Sequence, residues 1–372
     1  NDDRLGIALR YLSPQDSWER IEQALWTQTV VVHAFEVDGV RLDSTTACGY
    51  HRALVEQVMQ YGHSKDHRPD LAQVKLMLAV AEPQGQVMAS QLYSGEHADD
   101  PLYVPMMQRV RALVGKTGVL YPGDCKMAAF ETRMDIVAHA DDYLTVLPLT
   151  GETREQMDAW IGELVDGEQA ATLLWDGERL LGGGYEFTRS LTGTSDGQPV
   201  TWTERVQVVR STSFAHAQSQ ALDRRLQAAE TALQKLTPAP GRGKRQIREE
   251  GKFQEAIAAI LSQYRVTSLL QVAWRQEEEV TMRSVGRGRG GPHRSIRTDR
   301  KVRYVITQVQ RDETAIQAAK HRLGWRVQVT NVPPEVLGFA QSVRHYRAGY
   351  CVEGDFRMLK GKPIGISPLY VR

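Results

Sequence analysis

The stretch from residue 33 to residue 149 alternates between strand-like and helix-like patterns, and this alternation constrains the fold more than any other feature of the sequence. The apolar spacing predicts strand, strand, strand, helix, strand, helix and strand, in that order. A meander of strands followed by β-α-β units forms a mixed sheet with helices packed on it. The sequence therefore predicts an α/β fold built on one mixed sheet.

The segments around this stretch are predicted to extend the sheet domain or to interrupt it. Residues 1–32 are predicted to form a helical N-terminal segment, and 33–149 the first part of the core. Residues 150–332 change in character and are predicted to form a large α+β insertion domain. Residues 333–372 then supply the last part of the core.

A basic loop at 283–303 lies within the predicted insertion. It holds eight lysines and arginines against one acid. A flexible Gly/Arg segment of this kind suits contacts with phosphate groups. A solvated loop without a partner explains the same composition, so both interpretations stay open here.

The overall composition narrows the cellular environment. The 372 residues carry a formal net charge of +1, so the charge balance says nothing about partners. No run of residues is long and apolar enough to cross a membrane, and we expect no membrane partner. Three cysteines without a Cys-x-x-Cys pair argue against a disulfide framework and for the reducing cytoplasm. Because the first residue is Asn and the last residues close no element, we expect a fragment or a processed chain.

Two aspartates are predicted to follow strands. The segment HAFEVDGVRLD (33–43) reads as a strand, a turn and a short strand that ends on Asp43, and Asp124 comes just after a strand at 118–121. If these strands are neighbours, both carboxylates meet at one edge of the sheet. Two hard oxygen donors at one edge can share Mg²⁺. Asp43 taken alone is equally well explained as a turn or a helix cap.

The segment YRAGYCVEGDFRMLK, 346–360, is predicted to be one helix. Val352, Phe356 and Leu359 recur at helical spacing and predict a buried stripe. Glu353 and Lys360 lie at the rim of that stripe, where a cleft could hold their charges. Two solvated residues on an exposed helix face are the alternative.

Five segments of the sequence resemble a known protein family. LDSTT, GHSKDHRPDL, PGDCK, TNVPPE and YRAGYCVEGDFRMLK, which together span residues 42 to 360, resemble the DDE transposases of bacterial insertion sequences. More narrowly, they are similar to the subgroup with a Tyr-Arg-Glu-Lys signature on the last helix and a large insertion before it. The resemblance implies an RNase H-like core.

The resemblance also implies residue roles and chemistry. Asp43, Asp124 and Glu353 match the three catalytic acids, which are expected to hold two Mg²⁺ ions, with Mn²⁺ as a possible substitute. The expected activity is metal-dependent cleavage and strand transfer of insertion-sequence ends. The expected partners are double-stranded DNA, as terminal inverted repeats and target, and a second copy of the chain on that DNA. The expected location is the cytoplasm, at the nucleoid. The residues expected to bind DNA are Tyr346, Lys360, Lys126, Arg287, Arg289 and Arg294.

One position departs from the family pattern. Gly349 stands where the signature has arginine. Arg347 lies beside it but would point about 160° away on an ideal helix, which makes it a poor substitute. Two alternatives to an active transposase therefore stay open. One is a remnant that binds DNA without catalysis, and the other is a Mg²⁺-dependent nuclease on the same fold.

Two further groups of residues are left with two interpretations each. The charged residues Lys65, Asp66, Arg68 and Asp70 are either an ion-pair cluster or a DNA-facing group. The tryptophans of the insertion either pack in its core or stack on a flipped base; they are Trp160, Trp175, Trp202 and Trp274.

Overall fold

The computed structural model describes residues 2–54, 57–165, 167, 169–239, 241, 246–285, 295–362 and 364–368. The chain forms two compact units. Unit 1 comprises residues 1–209 and 326–372, and unit 2 comprises residues 210–325.

The helices and strands are numbered in chain order. The elements that begin before residue 210 are α1 (Asp2–Leu12), α2 (Gln15–His33), β1 (Gly39–Gly49), β2 (Ala72–Glu82), β3 (Gln86–Ser94), α3 (Tyr103–Val114), β4 (Leu120–Pro122), α4 (Phe130–Ala138), β5 (Asp142–Val146), α5 (Gly151–Val165), β6 (Thr172–Asp176), β7 (Arg179–Ser195) and β8 (Gln198–Ser211). Unit 2 continues with α6 (Thr212–Leu236), α7 (Glu250–Gln263), β9 (Leu270–Ser284), β10 (Ile296–Arg311) and α8 (Glu313–His321). The chain then returns to unit 1 through β11 (Trp325–Thr330), α9 (Phe339–Arg347) and α10 (Tyr350–Lys360).

The sheet of unit 1 is mixed, as the sequence predicts. Its nine strands lie in the order β3-β2-β1-β4-β5-β11-β8-β7-β6. β1 pairs antiparallel with β2 and parallel with β4, and β4 pairs parallel with β5. Helices α2, α3, α4 and α10 pack on these strands. The α/β prediction is confirmed, and the order 3-2-1-4-5 of the first five strands is compatible with an RNase H-like fold.

The first strand differs from its predicted bounds. β1 is a single strand with Asp43 near its middle, where a strand end was predicted, and His33, predicted to begin a strand, is the last residue of α2. Residues 43–49 continue the ladder because each pairs with a residue of β2, from Asp43 opposite Leu78 to Gly49 opposite Ala72. Thr45 and Thr46 are β-branched and buried, so this small polar segment suits a strand better than a turn.

The insertion is shorter than predicted. Its bounds were predicted at 150 and 332, whereas unit 2 begins at 210 and ends at 325. The hairpins of β6, β7 and β8 instead extend the main sheet. They do so because Leu174, Leu181 and Val209 are buried against Val343 of α9.

The predicted C-terminal helix is two helices. α9 ends at Arg347 and α10 begins at Tyr350, so Ala348 and Gly349 separate them. Glycine is a poor helix former, and a Cβ atom at Gly349 would lie 3.3 Å from Nη1 of Arg41. The predicted apolar stripe is confirmed, because Val352 and Phe356 pack on the β2–β3 face of the sheet.

Unit 2 has a core of its own. Helices α6 and α7 bury Leu226 and Phe253 with Tyr304 of the β9–β10 hairpin. Trp274 makes an edge contact with Phe253, so packing is the role it fills here. The predicted DNA contacts Arg287, Arg289 and Arg294 lie outside the described residues. In the part of the chain that the structure describes, no helix is long and apolar enough to cross a membrane.

Candidate functional site

The three predicted acids line one cavity of unit 1. This cavity, the acid cavity below, has a volume of about 340 Å³. Its lining residues come from β1, the β4 end, β11 and the α9–α10 junction. They are Arg41, Leu42, Asp43, Gly123, Asp124, Arg326, Tyr346, Arg347, Gly349, Val352 and Glu353.

The strand register explains why Asp43 and Asp124 meet. Gly39 of β1 pairs with Leu120 of β4 in the parallel direction. Each aspartate lies four residues beyond its member of this pair, Asp43 within β1 and Asp124 two residues past the end of β4, and both line the acid cavity. The expectation that their strands are neighbours is therefore confirmed, although Asp43 reaches this place from within a strand.

The groups around Asp43 compensate the charge of its carboxylate only in part. Its Oδ1 accepts a hydrogen bond of 2.7 Å from the Ser44 N–H, and Nζ of Lys65 lies 3.8 Å from the same oxygen. Burial raises the pKa of Asp43 to about 6. The charge of Lys65 and the Ser44 bond oppose that rise, while the charges of Asp124 and Asp99 add to it.

Asp124 is positioned by groups from three sides. The hydroxyl of the buried Tyr103 donates a 2.9 Å hydrogen bond to Oδ1, and the Lys126 N–H donates another of 2.9 Å. The Thr145 hydroxyl of β5 fixes the Asp124 backbone oxygen at 2.6 Å. Burial and the nearby carboxylates hold the pKa of Tyr103 well above its usual range, so its hydroxyl stays a donor. Sequence reasoning missed Tyr103, because it stands at the start of an apolar helix face without a motif around it.

A further acid, Asp99, holds Lys65 in place. Sequence reasoning also missed this residue. Lys75 Nζ lies 2.6 Å from Asp99, and Lys65 Nζ lies 3.5 Å from it. Burial alone would raise the pKa of Asp99, but the Lys75 hydrogen bond and the Lys65 charge hold it below its usual range. Lys65 Nζ also donates to the Ser44 backbone oxygen at 2.6 Å. The ammonium beside Asp43 is thus fixed in place.

The ion-pair interpretation of the segment around residue 65 is supported. Asp66 accepts a 2.5 Å bond from Lys360, and Arg68 pairs with Asp70 at 2.7 Å on the surface. Lys65 and Asp66 therefore join β1 to α10 from two consecutive positions. Lys360, a predicted DNA contact, is engaged in this pair, whereas Lys126 is half exposed and lies 3.6 Å from Asp100.

Glu353 borders the cavity less closely. It is exposed on the first turn of α10. Among the described residues, no three His, Cys, Asp or Glu side chains are grouped tightly enough to hold a metal ion. The carboxylates of Asp43 and Asp124 fit a hard divalent cation by their chemistry and their proximity, and the three-acid metal site stays a prediction.

Tyr346 and three arginines, Arg41, Arg326 and Arg347, also line the acid cavity. Burial raises the pKa of the Tyr346 hydroxyl, and the charges of Arg326, Asp124 and Arg41 all act on it. Sequence reasoning missed Arg41 and Arg326. Arg347, which was set aside as a poor substitute for the signature arginine, also lines the cavity from the last position of α9.

Comparisons with known proteins add little. No protein-family model matches the chain, and no curated protein matches it. One solved structure similar to part of it is the cryo-EM structure of a piggyBac transposase synaptic complex with hairpin DNA, at a TM-score of 0.27 and 8% identity. The alignment covers 41% of this chain and 31% of the piggyBac chain. A likeness this low carries no argument about function.

Proposed function

We propose that the protein is a DNA transposase that cleaves insertion-sequence ends and joins them to target DNA. One observation carries the proposal. Asp43, Asp124 and Glu353 come from three separate segments and line one cavity. These are the residues to which the sequence resemblance gives catalytic roles.

The side chains around the cavity suit a metal-dependent reaction. Asp43 and Asp124 would hold Mg²⁺, or Mn²⁺ in its place, and Glu353 would contribute from α10. A bound ion of this kind lowers the pKa of an attacking hydroxyl and stabilises a leaving oxygen of the phosphodiester. The Ser44 N–H fixes Oδ1 of Asp43, and the Tyr103 hydroxyl fixes Oδ1 of Asp124. The partners in this proposal are double-stranded DNA and a second copy of the chain.

One observation favours a second candidate. Gly349 lines the cavity at the position of the signature arginine. A chain that lacks this contact could bind DNA without joining it, or cut DNA without joining it. Both possibilities are outcomes of the experiment that tests the proposal.

The test is a joining assay. Purified protein is mixed with supercoiled plasmid and labelled duplexes whose ends carry a randomised sequence, in Mg²⁺ or Mn²⁺. We expect joined product from the wild type and none from Asp43→Asn or Asp124→Asn. The control is Asp70→Asn, since Asp70 is exposed and paired with Arg68 outside the cavity. Nicked plasmid without joined product would support the nuclease, and DNA binding alone would support the remnant.

A binding measurement separates the metal from the reaction. A ligand that binds only the folded state stabilises it. We therefore expect Mg²⁺ to raise the melting temperature of the wild type and of Asp70→Asn, and to leave that of Asp43→Asn unchanged. An equal rise in all three proteins would contradict the metal assignment.

A further inference from the structure

Glu353 stands on a helix that is not continuous with the one before it. The break at Ala348 and Gly349 separates α10 from α9. Val352 and Phe356 pack the apolar stripe of α10 on the sheet. Apolar contacts have no preferred direction, so a directional contact is needed to set the rotation of α10 about its own axis.

The last turn of α10 carries such a contact. Nζ of Lys360 donates to Oδ1 of Asp66 at 2.5 Å, and both side chains are about one-fifth exposed. The hydroxyl of Ser367, which follows α10, donates a second hydrogen bond to Oδ2 of Asp66 at 3.3 Å. Asp66 therefore holds both the end of α10 and the chain beyond it.

The turn that carries Asp66 is itself fixed to β1. The backbone N–H of Lys65 donates to the Thr46 hydroxyl at 3.0 Å, and its Nζ donates to the Ser44 backbone oxygen at 2.6 Å. Nζ of Lys65 also lies 3.8 Å from Oδ1 of Asp43. Two consecutive residues thus reach Asp43 on one side and α10 on the other.

Glu353 and Lys360 lie on the same side of α10. They are seven positions apart, which is close to two full turns, so their directions from the helix axis differ by only about 20°. A contact that fixes the direction of Lys360 therefore also fixes the direction of Glu353. Glu353 lines the acid cavity, so the pair at the far end of the helix affects how this carboxylate meets the cavity.

We propose that Asp66 and Lys360 are positioning residues, which hold α10 so that Glu353 faces the acid cavity. The inference rests on the proposed function, and it gives Lys360 a role other than the DNA contact that the sequence resemblance implies. The two roles differ in what they require of Asp66. A positioning pair needs both partners, whereas a DNA contact needs the lysine alone.

The test measures the affinity for Mn²⁺ by electron paramagnetic resonance, without DNA. Losing a group that supports a metal ligand costs roughly 10–100-fold in affinity. We expect Asp66→Ala and Lys360→Ala to weaken Mn²⁺ binding alike, by about tenfold or more. The charge swap, Asp66→Lys combined with Lys360→Asp, should recover most of the affinity because it restores the pair. The rate of joining should fall and recover in the same order.

A second comparison asks whether the pair acts through Glu353. Glu353→Gln removes the carboxylate itself, so adding Asp66→Ala to it should cause no further loss of Mn²⁺ affinity. A pair that only stabilised the fold would cause the same loss in the wild type and in the Glu353→Gln background. Equal losses in the two backgrounds would therefore overturn the positioning role.

The matched control is Asp70→Ala. Asp70 lies in the same segment as Asp66 and is also paired, with Arg68 at 2.7 Å, but on the surface. We expect its Mn²⁺ affinity and its joining rate to equal those of the wild type. Thermal melting of each variant identifies any loss of folding. If an alanine variant unfolds, Asp66→Asn and Lys360→Gln carry the same comparison.

The positioning role is also overturned if both alanine variants keep the wild-type affinity, or if Lys360→Ala alone loses it. A wild type that binds no Mn²⁺ removes the metal site and the positioning role together. The result also separates the two proposals. Joining that depends on Asp43 but not on Asp66 leaves the transposase standing without the positioning role. Mn²⁺ affinities in the expected order, in a protein that joins no DNA, do the reverse.

Discussion

Unit 1 contains two carboxylate centres that are built in opposite ways. Glu204 is fully buried, and it is paired with Arg133 and Arg189 and accepts a 2.6 Å bond from the Tyr143 hydroxyl. Asp43 and Asp124 also have a tyrosine donor nearby, but the cation beside Asp43 is the single ammonium of Lys65, 3.8 Å away. Among the described residues, Glu204 has two guanidinium groups in direct contact, whereas Asp43 has one ammonium at a longer distance.

The difference separates a carboxylate that stabilises the fold from one that is suited to bind a cation. A buried carboxylate that meets its counterions within the chain is part of the core, and removing it leaves charges without partners. A carboxylate whose pKa is raised by burial and by neighbouring acids holds unfavourable charge that a cation from solution can relieve. The following predictions test this contrast, from the largest effect to the smallest.

Glu204→Gln should destabilise the protein strongly. It leaves the buried Arg133 and the partly exposed Arg189 without this carboxylate, and breaking a buried pair in this way costs about 3–5 kcal/mol. Denaturation in urea measures the loss. Glu131→Gln, at an exposed position of α4, is the control and should stay within about 0.5 kcal/mol. A loss below about 1 kcal/mol for Glu204→Gln would mean that the chain can rebalance this centre.

In EDTA, Asp43→Asn should have the opposite effect and raise the free energy of unfolding. The folded protein holds the pKa of Asp43 at about 6, above its usual value. The ionised carboxylate therefore costs stability at pH 8, by about 2–3 kcal/mol. The asparagine variant should be more stable than the wild type by that amount.

The pH dependence follows from the same pKa. A raised pKa contributes stability at low pH and loses it as the pH rises through about 6. The advantage of Asp43→Asn should therefore shrink on acidification from pH 8 and vanish near pH 4. Urea denaturation at three pH values checks this, and a variant less stable than the wild type at pH 8 would contradict it.

The sequence predicted the first five strands of the sheet well, but it did not predict that β6, β7 and β8 extend the sheet at its other side. The order of strands and helices from 33 to 149 follows from local apolar spacing. The joining of β6, β7 and β8 to the sheet depends on Leu174, Leu181 and Val209 meeting α9. No local pattern records such a long-range contact.

The site was predicted in part for the same reason. Asp43, Asp124, Glu353 and Tyr346 were named, and they line one cavity. Tyr103 and Arg326 carry no motif, and only the fold brings them to the cavity. The break between α9 and α10, at Ala348 and Gly349, is concealed by the apolar period of the predicted helix.

Tyr103→Phe should weaken the proposed site without harming the fold. It removes the hydrogen bond that orients Asp124. Losing a group that supports a metal ligand typically costs 10–100-fold in metal affinity or activity. The Mg²⁺ dependence of joining measures the effect. Tyr121→Phe is the matched control, because the buried hydroxyl of Tyr121 has no hydrogen-bond partner within the described structure.

The smallest effects concern two lysines. Lys360 is paired with Asp66 at 2.5 Å, and both side chains are about one-fifth exposed. Lys126 and Asp100 are half exposed and 3.6 Å apart. Lys126→Ala should change stability by less than about 1 kcal/mol, and Lys360→Ala should cost more because Asp66 loses its ammonium partner.

The effects of the two lysine variants on DNA binding should follow the reverse order. A lysine that is already paired within the chain releases few counterions when DNA arrives, whereas a loosely paired one is available to a phosphate. We expect Lys126→Ala to lower the salt slope by about 0.9 and Lys360→Ala to leave it nearly unchanged. Anisotropy titrations in EDTA measure both slopes. If Lys360→Ala gave the larger drop, pairing within the chain would no longer separate structural charges from those that meet a ligand.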